Sequence, residues 1–344
     1  MFENDKKIND LFLYWLFSSL VLVFFIIIIG GLTRLTNSGL SITEWELFSG
    51  ILPPLNNNSW LIYFNQYKEI PQYKLINPNM KLDDFKFIFY WEYFHRMIAR
   101  LIGLFFLIPL IYFYFSKKIN IIYLKICYLI FFLIVLQGIF GWYMVKSGLV
   151  YDVTVSHYRL SIHLTTAIII ISIIFWLLKN FISKCNKKFF TFSKKNLPFQ
   201  IFISLIFIQI IAGSFVSGLD AGKIYQTWPL MGNNYFPDDF IFSSFINLFE
   251  FSNLSLVQFY HRNLAYLIIL YGLFLFIYIY KNNLKNLYKS SKIMIFFLLL
   301  QVMIGVLTLV SGLNIYLSSI HQIIGVILVL SALNLYHIKL NKLN

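Results

Sequence analysis

Four histidines occupy matching places in apolar stretches of this sequence. They are His95, His163, His261 and His321, and each falls within about two helical turns of the start of a stretch long enough to cross a membrane. An imidazole in hydrocarbon is costly, so a histidine kept there usually has a functional role. Two imidazoles on facing helices can supply both axial ligands of one haem iron. We therefore predict two haem sites, one formed by the first pair of histidines and one by the second pair.

Zinc binding and structural hydrogen bonding are the alternatives for these histidines. A zinc site needs three or four ligands that converge on one point, and these often include acids or thiolates. The sequence instead places two such histidines in each half of the chain, and its two cysteines, Cys127 and Cys185, form no metal-type cluster. Zinc is the weaker interpretation, while structural hydrogen bonding stays open at each position.

Glu92 is the one acid that the predicted segments place inside the membrane. It precedes His95 by three residues, so the two side chains share roughly one helix face. A carboxylate near a haem edge can accept or relay a proton, or stabilise positive charge on a substrate. The alternative is an ion pair with Arg96 or Arg100. In the second half Gln258 takes the matching place, and an amide cannot exchange a proton at neutral pH, so we predict that only the first half performs chemistry.

Two arginines, Arg96 and Arg262, each directly follow a predicted haem ligand. Haem carries two propionates, and a guanidinium near the outer end of a helix is a natural partner for a carboxylate. Arg34 and Arg159 lie near the same membrane boundary, and we predict that all four help to bind the cofactor. The alternative is that these side chains extend to lipid headgroups.

Membrane-spanning helices are the elements that would position these residues. The chain of 344 residues is 59% hydrophobic and only 12% charged, which excludes an ordinary soluble protein. A hydrocarbon core of roughly 30 Å needs about 20 apolar residues per helix. The stretches that qualify are 11–32, 89–115, 121–145, 157–178, 199–217, 255–280, 293–312 and 315–338. We predict an all-α membrane protein with eight transmembrane helices.

The basic excess of the chain indicates topology and argues against nucleic-acid binding. The formal net charge is +14, but the lysines concentrate in alternate loops, which is the positive-inside pattern. This pattern places both termini in the cytoplasm and the four histidines near the outer face of the membrane. The N-terminal segment is short and contains acids, unlike a transit peptide, which favours a bacterial inner (plasma) membrane.

Two halves of the chain repeat the same features in the same order. The repeated pairs include "YFHRMIARLIG" with "FYHRNLAYLII", "LQGIFGWYMVKSGL" with "LQVMIGVLTLVSGL", and "RLSIHLTTAIII" with "LSSIHQIIGVIL". Four helices return the chain to the side that it left, so the repeat predicts two pseudo-symmetric four-helix bundles in parallel orientation. We place them at residues 1–185, the catalytic half, and residues 186–344, the half that holds a second haem.

The predicted outer loop at residues 33–88 is much longer than its counterpart at residues 218–254. Its polar stretches, "LPPLNNNSW" and "NPNMKLDD", predict a mostly irregular structure. The loop is nevertheless too long to be only a connector, so we expect it to cover part of the first half.

The chain resembles the haem A synthase family over nearly its whole length. The motifs that carry the resemblance are "GGLTRLTNSGLSITEW", "FYWEYFHRMIARLIG", "YRLSIHL", "AGSFVSGLDAGKIYQTWPLMG", "VQFYHRNLAY" and "SSIHQIIGV". The resemblance implies that haem O is oxidised at its C8 methyl to a formyl group by successive hydroxylations, giving haem A. It also implies substrate haem on the first pair of histidines, haem b on the second pair, and a catalytic role for Glu92.

This chain departs from the family pattern in two ways. The cysteine pair that some members carry in an outer loop does not occur, so a redox role for it cannot be carried over. His157 stands where proline is expected in many relatives. Six residues separate it from His163, so we interpret it as an interfacial residue with a lesser possibility of contact with a propionate or the substrate.

The expected partners are haem O, the haem O synthase that supplies it, an electron donor that the sequence does not identify, and the lipid bilayer. The sequence leaves a homo-oligomer open. The main alternative function is a dihaem b-type membrane electron-transfer cytochrome, which would need the four histidines but not Glu92. A transporter would explain the repeat but not the histidine pairs.

Overall fold

A computed structural model describes residues 2–44, 49–150, 153–239 and 245–340. Within these ranges the chain is helical and forms no β-strand. The α-helices are α1 (Phe2–Leu35), α2 (Asn57–Glu69), α3 (Pro71–Leu75), α4 (Leu82–Ser116), α5 (Ile121–Val150), α6 (His157–Ile182), α7 (Leu197–Gly218), α8 (Leu254–Lys281), α9 (Tyr288–Val310) and α10 (Ile315–Lys339). Short 3-10 helices cover Ser49–Ile51, Ala221–Lys223, Phe245–Phe249 and Lys285–Leu287.

Eight helices in the described part of the chain are long and apolar enough to cross a membrane, which confirms the predicted all-α class. They are α1, α4, α5, α6, α7, α8, α9 and α10, with the helical turn at residues 285–287 continuing α9. Helix α4 begins at Leu82, seven residues before the predicted apolar run. Asp84 accepts a hydrogen bond from the backbone N–H of Lys81, and Asp83 lies in the same first turn. Such acids favour the start of a helix but break an apolar pattern.

Residues 33–88, predicted as a mostly irregular loop, contain two short α-helices between the end of α1 and the start of α4. Asn56 accepts a hydrogen bond from the backbone N–H of Ser59 and so caps α2, and Pro71 begins α3. Asn56 in the first polar stretch is therefore a helix cap, whereas its neighbours Pro53 and Pro54 lie outside helices. One face of α2 is buried in a cluster comprising Leu40, Ile42, Trp60, Phe64, Tyr67, Ile70, Phe85, Ile88, Phe89 and Val155. The segment is thus a folded cap over the start of α4.

The chain divides into two compact units, Met1–Ile174 and Phe175–Asn344. In the first unit α1 packs against α4, α4 packs against α5, and the short helices α2 and α3 lie on α4 and α5. In the second unit α7 packs against α8, α8 against α9, α9 against α10, and α10 against α7. The predicted boundary at residues 185 and 186 and the two-bundle arrangement stay predictions.

Candidate functional site

Each of the four predicted haem ligands packs against a glycine on a neighbouring long helix. The pairs are Gly30 with His95, Gly141 with His163, Gly213 with His261, and Gly305 with His321. A β-carbon at these glycines would lie, in the same order, 3.1, 3.3, 3.0 and 2.8 Å from an atom of the imidazole ring. The glycines therefore let each ring lie directly on the backbone of the adjacent helix. All four rings stay half-buried.

The two histidines of the second unit have the separation that one bound metal requires. The ring centres of His261 and His321 lie 6.5 Å apart, and the ring planes are inclined at 78°. A metal held about 2 Å from one nitrogen of each of two imidazoles separates the ring centres by roughly 6 to 7 Å. In the first unit His95 and His163 are close enough to interact electrostatically.

Buried ring nitrogens also fit a ligand that the protein alone does not satisfy. The Nδ1 atoms of His163 and His321 are buried, and neither has a hydrogen-bond partner within the described residues. A buried polar atom without a partner costs free energy, so such atoms mark places where another group binds or a side chain rearranges. The spacing of the His261 and His321 rings fits one metal between them, while the unpartnered Nδ1 atoms each need an acceptor.

Glu92 is buried and both of its carboxylate oxygens accept hydrogen bonds. Arg96 donates to Oε1 through Nη2 at 2.6 Å and through Nε at 3.1 Å. Ser41 Oγ donates to Oε2 at 2.7 Å, and the backbone N–H of Ile42 donates to the same atom at 2.9 Å. The ion pair that was the alternative explanation for this acid is therefore present. It supplies the countercharge and the donors that a buried carboxylate needs. The catalytic role of Glu92 stays a prediction.

The residue pair Glu92–Arg96 and its counterpart Gln258–Arg262 both attach a connecting segment to a long helix. Arg96 donates to the backbone oxygen of Ile42 at 2.9 Å. In the second unit Gln258 and Arg262 each donate to the backbone oxygen of Tyr225 at 2.8 Å. The two contacts differ in the direction of the hydrogen bond. The carboxylate of Glu92 accepts from its segment, whereas the amide of Gln258 donates to its segment. Sequence reasoning missed this anchoring function, since nothing in the helix sequence specifies which loop atoms come near.

The remaining predicted arginines make local contacts. Arg34 donates to Asn37 Oδ1 at 3.1 Å. Arg159 donates to the backbone oxygen of Tyr143 at 2.8 Å, and its guanidinium lies 4.0 Å from the centre of that ring. His157 is the first residue of α6. A cleft beside α4 brings two cations together, since Arg96 and Arg100 both line it beside Ile42 and aromatic side chains. Arg100 was not among the predicted haem-binding arginines.

Three glutamines beside the histidines were also missed. Gln209 and Gln301 each place the amide nitrogen within 3.5 Å of a ring nitrogen of His261 or His321. Gln137 donates to the backbone oxygen of His163 at 3.0 Å. A signal was present in the sequence, because each glutamine precedes the contacting glycine by four residues, which places both on one helix face.

Replacing Gly141 by leucine is expected to displace the His163 ring and lower the haem content of the purified protein by at least about 10-fold. The reason is that the new β-carbon would lie 3.3 Å from the Cε1 atom of that ring. Gly138 lies on the same helix and has no described atom within 4 Å of its β-carbon position, so Gly138→Leu is the matched control. The measurement is the haem-to-protein ratio. Equal ratios in the two variants would contradict a need for close packing at Gly141.

Comparisons with known proteins agree over almost the whole chain. Residues 13–333 match the COX15-CtaA family, described as cytochrome oxidase assembly protein. The chain is 47% identical over 320 residues to the haem A synthase of Pelagibacter ubique, covering 91% of this chain and 92% of that protein. It is 40% identical over 312 residues to the haem A synthase of Flavobacterium johnsoniae, covering 89% of this chain and 91% of that protein. It is 42% identical over 304 residues to the haem A synthase of Rickettsia felis, covering 86% of this chain and 88% of that protein.

Proposed function

The chain belongs to the COX15-CtaA family of cytochrome oxidase assembly proteins, and from that membership we propose how its residues divide the work of making haem A. It functions as a haem A synthase, a haem-dependent multi-pass membrane oxidoreductase that acts on haem O. The dihaem electron-transfer cytochrome is not favoured, because relatives that match most of the chain carry the enzyme's name.

The first pair of histidines, His95 and His163, holds the substrate haem in this proposal, and His261 with His321 holds a haem b. The observation that carries it is the 6.5 Å separation of the His261 and His321 rings, which suits one metal between two imidazoles. The glycine under every ring supports the same role for all four histidines. When bound, haem supplies the one-electron iron chemistry that amino-acid side chains lack.

The first half oxidises the C8 methyl of haem O to a formyl group by successive hydroxylations. Glu92 is the residue that takes up a proton released there, at a carboxylate oxygen. Its support is its place in a membrane-spanning helix three residues from His95, together with the amide at the matching Gln258. Ser41 and the backbone of Ile42 hold Oε2 in a fixed direction.

Arginines at the outer ends of the helices neutralise the propionates. Arg96 and Arg100 line one small cleft with aromatic neighbours, so two cations lie together in the first half, where a carboxylate is a natural partner. Arg262 takes the corresponding place in the second half, and Arg34 and Arg159 contribute near the same boundary.

The protein lies in a bacterial inner membrane with both termini in the cytoplasm, and it receives haem O from a haem O synthase and electrons from a donor. The lysine-rich alternate loops support this orientation. The expected site of the chemistry is then close to the outer face of the membrane.

Haem extraction from membranes tests the proposed function. Aerobic cells that make haem O but no haem A are given the full chain, and their pigments are extracted and identified. We expect a formyl-bearing haem A to appear, with haem O alone in cells that carry the empty vector. Haem O alone in both strains, with the chain present in the membrane, would contradict the function.

A further inference from the structure

Glutamine precedes the histidine-contacting glycine by four residues in three of the four long helices that carry such a glycine. The pairs are Gln137 with Gly141 in α5, Gln209 with Gly213 in α7, and Gln301 with Gly305 in α9. One helical turn separates the members of a pair, so both face the same imidazole. The fourth helix, α1, has Ile26 at this position before Gly30.

The glutamine amides lie directly beside the histidines. Gln209 Nε2 is 3.1 Å from Nδ1 of His261 and also donates to the backbone oxygen of that residue at 3.0 Å. Gln301 Nε2 lies 3.3 Å from Nε2 of His321. The Oε1 atoms of Gln137, Gln209 and Gln301 are all buried without a hydrogen-bond partner among the described residues. Each amide therefore keeps an unused acceptor next to a predicted haem ligand.

A histidine that gives Nε2 to a metal carries its proton on Nδ1 and needs an acceptor for that N–H. The buried Nδ1 atoms of His163 and His321 have no partner among the described residues. A half-turn of the Gln209 amide would place Oε1 about 3.1 Å from Nδ1 of His261, at the cost of the hydrogen bond that Nε2 donates to the backbone oxygen of that residue. An unused amide oxygen and an unpartnered Nδ1 thus occur together at two histidines, His163 and His321, and the half-turn of Gln209 would pair them at His261.

His95 differs from the other three in two independent respects. Ile26 offers no acceptor at the position of the glutamines. The ring also presents a different edge to its glycine, because the atom nearest to the Gly30 β-carbon position is Nε2 at 3.1 Å. In the other three pairs the nearest atom is Cε1, followed by Nδ1.

We propose that Gln137, Gln209 and Gln301 are positioning residues whose amides turn, when haem takes Nε2, to accept the Nδ1 proton of the ligating histidine, and that His95 is the one ligand without this support. The inference rests on the proposed function and deepens it. An acceptor on Nδ1 orients the ring and makes the imidazole a stronger ligand. Without such an acceptor, His95 would bind iron more weakly than the other three histidines. It lies in the half that performs chemistry. A ligand that leaves readily there would free one coordination position on the substrate iron.

Replacing Gln209 by leucine tests the supporting role. Transfer of haem from the purified, haem-loaded full chain to excess apomyoglobin is expected to become about 10- to 100-fold faster, since loss of such a partner typically weakens metal binding by that factor. In Gln209→Leu the midpoint potential of the haem held by His261 is expected to become more positive. In Gln209→Glu the same potential is expected to become more negative. Gln200→Leu is the matched control on α7, because Gln200 contacts Tyr336 and the backbone of Phe189 instead of a histidine. Gln200→Leu should leave the rate of haem transfer and the midpoint potential unchanged.

Replacing Ile26 by glutamine tests the missing support and does not depend on how the first variant folds. It is made in a full chain with His321→Ala, so that the observed haem belongs to the first half. Haem loss to apomyoglobin is expected to slow by about 10-fold or more. Unchanged loss in either Gln209→Leu or Ile26→Gln, with haem present in the parent chain, overturns the inference and leaves the proposed function standing. A parent chain that binds no haem overturns the proposed function itself.

Discussion

Replacement of Glu92 by glutamine is expected to lower haem A formation by at least about 100-fold while both haems stay bound. General acid–base groups contribute about 10²- to 10⁴-fold to a rate, and glutamine keeps the size and hydrogen-bonding capacity of the side chain but cannot exchange a proton. The second half already carries this residue at position 258. The measurement is the ratio of haem A to haem O extracted from cells that supply haem O, together with the haem content of the purified variant.

The anchoring contacts of Glu92 make a control necessary. The variant also weakens the ion pair with Arg96 and one attachment of the segment between α1 and α4, so limited proteolysis at residues 50–81 should be measured in parallel. Ser41→Ala removes a hydrogen bond to the same carboxylate but keeps the acid, and we expect less than about a 10-fold loss of haem A from it. If Ser41→Ala and Glu92→Gln lose activity equally, or if activity loss follows cleavage of the segment, Glu92 is an anchor and not a catalytic residue.

Replacement of His261 by alanine is expected to remove the low-spin haem b signal and lower the haem-to-protein ratio to about half. One axial ligand would be lost from a site whose two rings stand 6.5 Å apart, and the alanine side chain cannot reach a metal. The haem of the first half should remain, because its predicted ligands are His95 and His163 on other helices. The measurements are the reduced-minus-oxidised absorption spectrum and the haem content of the purified protein.

His157→Ala is the matched control for that experiment. This histidine begins α6 and lies six residues before a predicted ligand, so its loss tests whether a neighbouring histidine outside the predicted pairs affects the haems. We expect both haem signals to persist. An unchanged low-spin spectrum in His261→Ala would contradict the assignment of haem b to the second half.

The transmembrane helices were predictable because the bilayer imposes a length and an apolar composition that a sequence displays directly. The eight predicted stretches correspond to the eight long helices within the described residues. The cap at residues 57–75 was not predictable in the same way. Its asparagines and prolines are typical of turns as well as of helix starts, and only the burial of Trp60 and Phe64 against Phe85 and Phe89 decides between them.

The types of the site residues were readable from the sequence, but their partners were not. The distance of each histidine from the start of its helix predicted a common depth in the membrane, because depth follows from position along a helix. The contacts of Glu92 with Ser41 and Ile42 join residues about 50 positions apart, and no local pattern encodes such a contact. The glutamines were overlooked for a different reason, since their signal is a spacing to glycine that acquires meaning only once a histidine is found beside it.

The haem content and ligation of the purified full chain test the central claim most directly. The chain is expressed in cells that supply both protohaem and haem O, and the pigments are counted per polypeptide and examined for low-spin iron with two imidazole ligands. Two haems per chain are predicted, with haem b lost selectively in His261→Ala and the O- or A-type haem lost selectively in His163→Ala. A colourless chain, or one whose haem content is unaffected by either substitution, would contradict the claim that two histidine pairs each hold one iron.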